Sequence, residues 1–432
     1  MKNELMKTEL NESKKILDII SPTMCTAKWM SPSIKLERGI TSMCHHTWNF
    51  DAGTDPVEEI KKDPHALVNN KRLLQERQDM VNGKKPKACS YCWDVEKLGE
   101  TSDRIVTSHA WIRQVDVWLQ EGWSNPNKIN LHTVPKDIEV SFDNTCNLKC
   151  MYCNFLYSSK WSEEIRQFGH YPNELELTTN KKNISEWENF DSTPYIEAFW
   201  KWFPEISSEV RRIRITGGEP LLSKHTFRLI DYVKKHNPKM IIGINSNFSV
   251  PEKNFKRFLN AIQGIENTVH LYASIESYGK KAEYARYGLN YNKFMSNIDT
   301  FLSNTKNSRV LPMMTLNALS ICSMWDLHED WSKRIDKFGV ERIKFPDSTN
   351  YLQSPKLLDA RILPNDFINY YKKENDEWNT LYDRFFIRST SETFSEERKN
   401  FAMYINEVDR RRGTSFAKTF PELNELKVKW EE

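Results

Sequence analysis

The chain has 432 residues, 39% of them hydrophobic and 28% charged, which is enough for two or three domains with cores of their own. It carries 62 basic and 59 acidic residues, a formal net charge of +3 spread along the chain. Nucleic-acid binding needs a concentrated basic face, and a membrane helix needs about 18 consecutive apolar residues. The sequence has neither, so we expect no nucleic acid and no membrane among its partners.

Both ends of the chain are predicted to be helical. Residues 1–21 mix charges with apolar positions at helical spacing and lack the apolar stretch of a signal peptide. We therefore expect a cytoplasmic location, which suits reduced thiols. Residues 351–432 are predicted to form a charged helical extension with apolar stripes. The basic runs Arg410–Arg412 and Lys84–Lys85 are interpreted as solvated ends of helices or loops.

A cysteine-rich region follows the N-terminal segment. Cys25, Gly39 and Cys44 form the pattern C-x13-G-x4-C, and the region closes with the pair Cys89 and Cys92. Four thiolates can hold one tetrahedral zinc ion or one iron–sulfur cluster. Gly39 is predicted to supply a turn of positive φ that brings the chain back towards the site. The spacing leaves the two kinds of metal site open.

From residue 137 onward, strand-like and helix-like segments alternate. The predicted strands are 138–143, 212–216, 240–246, 269–275, 310–317 and 341–346. The predicted helices are 193–208, 223–236, 251–264, 290–305 and 322–337. Six strands alternating with helices predict a parallel sheet with helices outside it. The long insertion at 154–205 is rich in tryptophan, and we expect it to lie near the loop that follows the first strand.

That loop carries three cysteines, Cys146, Cys150 and Cys153, at the spacing CxxxCxxC. Thiolates are the ligands that iron–sulfur clusters need, and three of them leave one iron of a four-iron cluster without a protein ligand. A zinc knuckle completed by a distant ligand, or buried small side chains, are the alternatives. Three of only 8 cysteines in one eight-residue window favour a metal site.

Polar residues follow the later predicted strands. Ligands of parallel α/β folds gather at the carboxyl ends of the strands, so these residues are candidate site residues. They are Gly217, Gly218 and Glu219 after the second strand, Asn245 and Asn247 after the third, Ser274 and Glu276 after the fourth, and Arg286 ten residues later. Asn317, after the fifth strand, is a pocket residue or an ordinary strand-end cap. Cys322 is interpreted as a buried small side chain.

The CxxxCxxC motif, with Tyr152 before its last cysteine and Gly217-Gly218-Glu219-Pro220 downstream, resembles the radical S-adenosylmethionine (SAM) enzyme superfamily. The resemblance implies a partial (β/α)6 TIM-like barrel with a SAM-binding [4Fe-4S] cluster on Cys146, Cys150 and Cys153. It also implies a set of contacts to SAM. These are Gly217, Gly218 and Glu219 at the methionine amino group, Tyr152 near adenine, and Asn245, Asn247, Ser274, Glu276 and Arg286 at the methionine carboxylate and the ribose.

The same resemblance implies a reaction. An electron, from a donor such as flavodoxin or ferredoxin, cleaves SAM to a 5′-deoxyadenosyl radical that takes a hydrogen atom from the substrate. The substrate is a peptide or a small molecule. Two other classes of protein stay open from the residues alone: an iron–sulfur electron carrier, and a zinc-stabilised interaction protein.

The pattern of Cys25, Gly39, Cys44, Cys89 and Cys92, together with the stretch 92–104, is similar to the twitch domain, a truncated SPASM domain that holds an auxiliary [4Fe-4S] cluster. Here it precedes the barrel, which marks a subgroup. The run 409–416 resembles the C-terminal segment of that subgroup. The expected domains are an N-terminal helical segment at 1–21, a twitch-like domain at 22–136, a radical SAM partial barrel at 137–350 and a helical extension at 351–432.

Overall fold

The computed structural model describes residues 2–45, 54–175, 177, 184–345, 350–352, 354–371 and 394–431. The chain forms two compact units. One comprises residues 1–142, 190–215 and 233–241, and the other comprises residues 143–189, 216–232 and 242–432. The predicted division into four domains stays a prediction. Within the described ranges, no helix combines the length and the apolar character needed to cross a membrane.

The fold is mixed α/β. In chain order, the strands are β1 (Ser33–Lys35), β2 (Ile40–Ser42), β3 (Asp137–Ser141), β4 (Lys149–Cys150), β5 (Arg212–Thr216), β6 (Ile241–Ser246), β7 (Val269–Ser274), β8 (Arg286–Tyr287), β9 (Arg309–Met313), β10 (Thr315–Leu316) and β11 (Asn350–Tyr351).

The helices lie before, between and after these strands. In chain order, they are α1 (Lys2–Ile20), α2 (Ala27–Met30), α3 (Val57–Lys62), α4 (Ala66–Asn69), α5 (Lys71–Val81), α6 (Ser90–Lys97), α7 (Asp103–Ala110), α8 (Ile112–Gln120), α9 (Ser159–Phe168), α10 (Ile184–Glu188), α11 (Thr193–Ile206), α12 (Lys224–His236), α13 (Glu252–Ile262), α14 (Gly279–Ala285), α15 (Tyr291–Asn304), α16 (Met324–Phe338), α17 (Asn365–Tyr371), α18 (Ser395–Arg412), α19 (Phe416–Thr419) and α20 (Pro421–Glu431).

In the first unit, the cysteine-rich region contributes β1 and β2 to a sheet whose strand order is β2-β1-β3-β5. Strand β1 pairs antiparallel with β2 and parallel with β3, so that Lys35 lies opposite Ser141. Gly39 lies between β1 and β2 with φ +60°, as predicted, and a Cβ there would overlap the Tyr195 ring. A tryptophan cluster fills part of the core, with the Trp118 and Trp123 rings stacked at a centroid distance of 4.4 Å.

The second unit contains the parallel strands β6, β7 and β9 in that order. Helices α12, α13, α15 and α16 begin and end within two residues of their predicted bounds, because each carries a clear 3.6-residue apolar stripe. Most of the described residues after 364 are helical, as expected. Residues 372–393, within the predicted helical extension, lie outside the described residues.

The prediction for the last strands is wrong in part. The predicted strand 310–317 ends at Met313, and the short β10 pairs with β11 instead. In the predicted strand 341–346, Ile343 forms an isolated parallel bridge with Val310, through Val310 N–H to Arg342 O at 2.8 Å and Lys344 N–H to Val310 O at 3.0 Å. Residue 346 lies outside the described residues. The partial (β/α)6 barrel therefore stays a proposal.

Candidate functional site

The cluster loop, residues 143–153, carries the three predicted cysteines. Its strand β4 pairs antiparallel with β8, which places Cys150 opposite Arg286. The backbone N–H of Met151 also donates to Ala285 O at 2.8 Å. This short ladder fixes one side of the loop and brings the predicted cation Arg286 to the predicted ligand Cys150.

The three thiols are partly buried, and their surroundings control their charge. Burial raises the pKa of Cys146 to about 12 and raises the pKa values of Cys150 and Cys153 as well. Arg286 opposes this effect at Cys150, because its Nη1 lies 3.7 Å from the Cys150 Sγ. The thiols are therefore protonated at neutral pH, and metal binding must release their protons.

The predicted Gly217-Gly218-Glu219 segment packs on the start of the cluster loop. The Gly218 N–H donates to Asp143 O at 3.1 Å, and the Glu219 N–H donates to Thr145 O at 2.7 Å. A Cβ at Gly218 would overlap the carbonyl oxygen of Thr145, and Gly217 has φ +116°. Gly218 is thus required by the close approach of two backbones, and Gly217 by its positive φ.

Glu219 is buried, and its carboxylate accepts hydrogen bonds from the chain itself. The donors are the Ser246 hydroxyl at 2.7 Å, the Asn247 N–H at 2.7 Å and the Leu221 N–H at 3.1 Å. Burial nevertheless raises the Glu219 pKa to about 7. The Asn247 amide in turn donates to Asn147 Oδ1 at 2.9 Å, inside the cluster loop. Glu219 therefore orders the end of β6 against the cluster loop.

Tyr152, Glu276 and Arg286 form one buried network beside Cys150. Arg286 donates to Glu276 from Nη2 at 2.6 Å and from Nε at 3.0 Å, and the Tyr152 hydroxyl donates to Glu276 Oε1 at 2.6 Å. Burial alone would lower the pKa of Arg286, but the Glu276 carboxylate outweighs it and raises that pKa well above its ordinary value. Three residues predicted separately to contact SAM thus contact one another.

The other predicted residues have simpler surroundings. Asn245 and Ser274 lie half-buried on the neighbouring strands β6 and β7, opposite Tyr272 and Met313 respectively. Asn317 Oδ1 accepts from the Leu319 N–H at 2.9 Å, which confirms the strand-end cap. Cys322 is buried, as predicted.

Sequence reasoning did not assign a role to Asn147, which accepts from Asn247, or to Ser246, which donates to Glu219. Asn147 lies inside the CxxxCxxC motif and Ser246 directly precedes Asn247, so their positions offered a signal. The expected proximity of the insertion is confirmed at Trp161, whose Nε1 donates to Cys150 O at 3.0 Å. The interpretation of Arg410–Arg412 as solvated is wrong for Arg411 and Arg412, which are buried because their guanidinium groups pair with carboxylates and backbone carbonyls.

A cavity with an empty volume of about 340 Å³, including the part open to solvent, borders the cluster loop. Its lining combines loop residues with side chains from elsewhere in the second unit. They are Met151, Tyr152, Cys153, Asn154, Trp161, Leu177, Ser354, Pro355 and Tyr404. Cys153, the last cysteine of the loop, therefore faces a space rather than a packed core.

The four N-terminal cysteines meet in the first unit. Cys25, Cys44, Cys89 and Cys92 line one cavity with an empty volume of about 410 Å³, including the part open to solvent. Burial raises the pKa values of Cys25 and Cys92 to about 12. The predicted second site thus brings its four thiols together.

Two cations also line this cavity. Lys28 is buried and pairs with Glu76, and its charge opposes the rise of the Cys89 pKa that burial causes. Arg104 donates to Met24 O at 2.7 Å, next to Cys25. The stretch 92–104 folds around this arginine, because Glu96 accepts from both Arg104 and Ser102. The stretch therefore fixes the position of Arg104 beside the cysteine site.

A single metal ion needs ligands that converge on one point, about 2.0–2.3 Å from each donor atom for zinc. In the parts of the chain that the structure describes, no three side chains of His, Cys, Asp or Glu converge in this way.

One comparison with known proteins bears on these sites. Residues 140–330 match the family model described as Radical SAM superfamily. The matched span contains the cluster loop, the Gly217–Glu219 segment and the network of Tyr152, Glu276 and Arg286. Residues 140–330 therefore resemble a radical SAM domain, and the protein is an enzyme.

Proposed function

We propose that Cys146, Cys150 and Cys153 hold a [4Fe-4S] cluster that binds SAM, and that the enzyme acts on a peptide or a small molecule. When bound, the cluster and SAM supply a 5′-deoxyadenosyl radical that removes a hydrogen atom from the substrate. One observation carries the proposal. The cluster loop is hydrogen-bonded both to the Gly217–Glu219 segment and to the strand that bears Arg286.

The residues around the loop are suited to such a cofactor. Arg286 places a positive charge 3.7 Å from one thiol, which offsets the negative charge of thiolates. Glu219 orders the glycine segment and Asn247, and the half-buried Asn245 and Ser274 offer polar groups on adjacent strands. These groups support positioning of SAM beside the loop.

The network of Tyr152, Glu276 and Arg286 keeps capacity for a ligand. A carboxylate has about four lone-pair sites, and Glu276 makes four contacts with Tyr152 and Arg286, two of which share the single Nε–H of Arg286. A ribose hydroxyl can replace the longer of these two shared contacts, at 3.2 Å. A guanidinium has five N–H donors, so Arg286 can also reach a methionine carboxylate without losing Glu276. We propose these two roles, with Tyr152 near the adenine.

We also propose that Cys25, Cys44, Cys89 and Cys92 hold an auxiliary [4Fe-4S] cluster in a twitch-like domain that precedes a partial (β/α)6 barrel. The shared cavity and the cations Lys28 and Arg104, which offset the negative charge of thiolates, support this site. Cysteines that serve as metal ligands suit a reducing cytoplasm, and an electron donor such as flavodoxin or ferredoxin would reduce the enzyme.

Cleavage of SAM tests the proposed function. We expect the anaerobically reconstituted enzyme to form 5′-deoxyadenosine from SAM under a strong reductant, measured by liquid chromatography. The Cys146→Ala/Cys150→Ala/Cys153→Ala variant should form none. The Cys322→Ala variant is the matched control, because this buried cysteine lies at neither site, and it should remain active. A fully loaded protein that neither binds nor cleaves SAM would be an electron carrier instead.

A further inference from the structure

Consecutive backbone carbonyls of the cluster loop each accept a hydrogen bond from a side chain. The pairs are Leu148 O with the Ser158 hydroxyl at 2.7 Å, Lys149 O with Arg412 Nη1 at 3.0 Å, Cys150 O with Trp161 Nε1 at 3.0 Å and Met151 O with the Tyr404 hydroxyl at 2.6 Å. Two of these donors come from the start of α9, and two come from α18, near the end of the chain. These four hydrogen bonds therefore fix the backbone of residues 148–151 to other parts of the chain.

The two donors on α18 are themselves fixed. Tyr404 is fully buried, and its ring packs on Tyr171 at a centroid distance of 5.3 Å. Arg412 donates to both oxygens of Glu164, at 3.0 and 3.2 Å, and neither side chain is exposed to solvent. Its guanidinium lies over the ring of Trp161 at 5.2 Å. Donors this rigid can impose an orientation on the carbonyls they contact.

A fixed carbonyl fixes the next amide, because the peptide group is planar and its C=O and N–H point in opposite directions. Holding Lys149 O and Met151 O therefore sets the N–H groups of Cys150 and Tyr152. These two residues belong to the cysteine motif itself. The hydrogen bonds around cluster sulfurs, together with nearby charge and burial, set the reduction potential of such a cluster.

We propose that Tyr404 and Arg412 are positioning residues that hold the cluster loop in the conformation that binds its cluster, an inference that rests on the proposed function of Cys146, Cys150 and Cys153. Tyr404 acts through the loop backbone alone. Arg412 acts through the backbone and also adds a buried positive charge next to β4, which stabilises the more negative, reduced state of the cluster.

The experiment compares two variants with two matched controls in the reconstituted full-length chain. The variants are Tyr404→Phe and Arg412→Gln. Arg411→Gln removes the same charge at the neighbouring position, where the side chain donates to Gly169 O and His170 O instead of the cluster loop. Tyr284→Phe removes a buried hydroxyl that donates to Asp409 on the same helix.

The SAM-binding cluster is identified by the change of its paramagnetic resonance signal on addition of SAM. The first measurement is the rate at which this cluster loses iron to a chelator. Loss of one buried hydrogen bond should accelerate this release by roughly tenfold in Tyr404→Phe and Arg412→Gln. Both controls should release iron at the wild-type rate. The second measurement is the midpoint potential, which should shift to more negative values in Arg412→Gln and much less in Tyr404→Phe.

The outcomes separate this inference from the proposed function. If the wild type holds the SAM-responsive cluster and both variants match the controls in release rate and potential, the inference is wrong and the proposed function stands. If the wild type takes up no cluster on Cys146, Cys150 and Cys153, both are wrong. Tyr404→Phe keeps the buried ring, so it decides the question even if Arg412→Gln fails to fold.

Discussion

The buried pair of Arg286 and Glu276 allows a sharp test of the site by a double-mutant cycle. Both side chains are almost fully buried, and their shortest contact is 2.6 Å. Removing one partner of such a pair typically costs about 3–5 kcal/mol, because the remaining charge stays buried without compensation. We therefore expect Arg286→Gln and Glu276→Gln each to lower the free energy of unfolding by this amount. The double variant should lose less than the sum, since two neutral amides can bond to each other.

The assay is urea unfolding of the metal-free chain, followed by circular dichroism. Lys160 and Glu163 provide the control, because they also make a 2.6 Å contact but are about half exposed. Lys160→Gln should change the free energy of unfolding by less than about 1 kcal/mol, as is usual for exposed pairs. Arg286→Gln should also weaken cluster uptake, because Cys150 loses its neighbouring cation. A loss below about 1 kcal/mol in both single variants, or strictly additive losses in the double variant, would refute the reasoning.

Three further predictions follow from the two sites. Burial raises the Glu219 pKa to about 7, whereas the pKa in the unfolded chain is about 4.3. The protonated carboxyl group therefore stabilises the folded state fully below about pH 4.3, and this stabilisation is lost as the pH rises through 7. Urea titrations of the wild type and of Glu219→Gln give the difference between their free energies of unfolding at each pH. This difference should fall by roughly 3 kcal/mol between about pH 4 and pH 8, and a difference that does not change with pH would contradict the raised pKa. Metal analysis after anaerobic reconstitution should find about eight irons per chain, and Cys89→Ala/Cys92→Ala should retain about four. About four irons and one zinc in the wild type would instead identify the N-terminal site as a zinc site. Gly218→Ala should abolish uptake of the SAM-binding cluster, because its Cβ would overlap the Thr145 carbonyl, and normal iron content would contradict this placement.

The regular part of the second unit was predictable because its signals are local. Helices α12, α13, α15 and α16 each carry an apolar stripe over three or more turns, which fixes their bounds to within two residues. The cysteine motif likewise lies within eight consecutive residues. By contrast, β1 and β2 are three residues each, too short for an alternating pattern, so their pairing next to β3 could not be predicted.

The roles of charged site residues were harder to predict because their partners are distant in sequence. Glu219 was expected to contact SAM, but the structure shows its carboxylate bonded to Ser246 and Asn247 at the end of the next strand. Glu276 and Arg286 were each expected to contact SAM, and they pair with each other. A carboxylate or a guanidinium in a motif can bind the ligand, stabilise the fold or do both, and the motif alone does not show which of these it does.

The burial of Arg412 could have been predicted from the sequence of α18. Along α18 the buried residues Phe401, Tyr404, Ile405 and Val408 form a stripe at spacings of three and four residues. The same stripe continues at positions 411 and 412. A helix turns by about 100° per residue, so position 412 falls within the arc of these four buried residues, whereas position 410 falls on the opposite side of the helix. Burial of at least one arginine, with a carboxylate partner, therefore follows from the periodicity. Only the identity of that partner, Glu164, and the contact with Lys149 O required the structure.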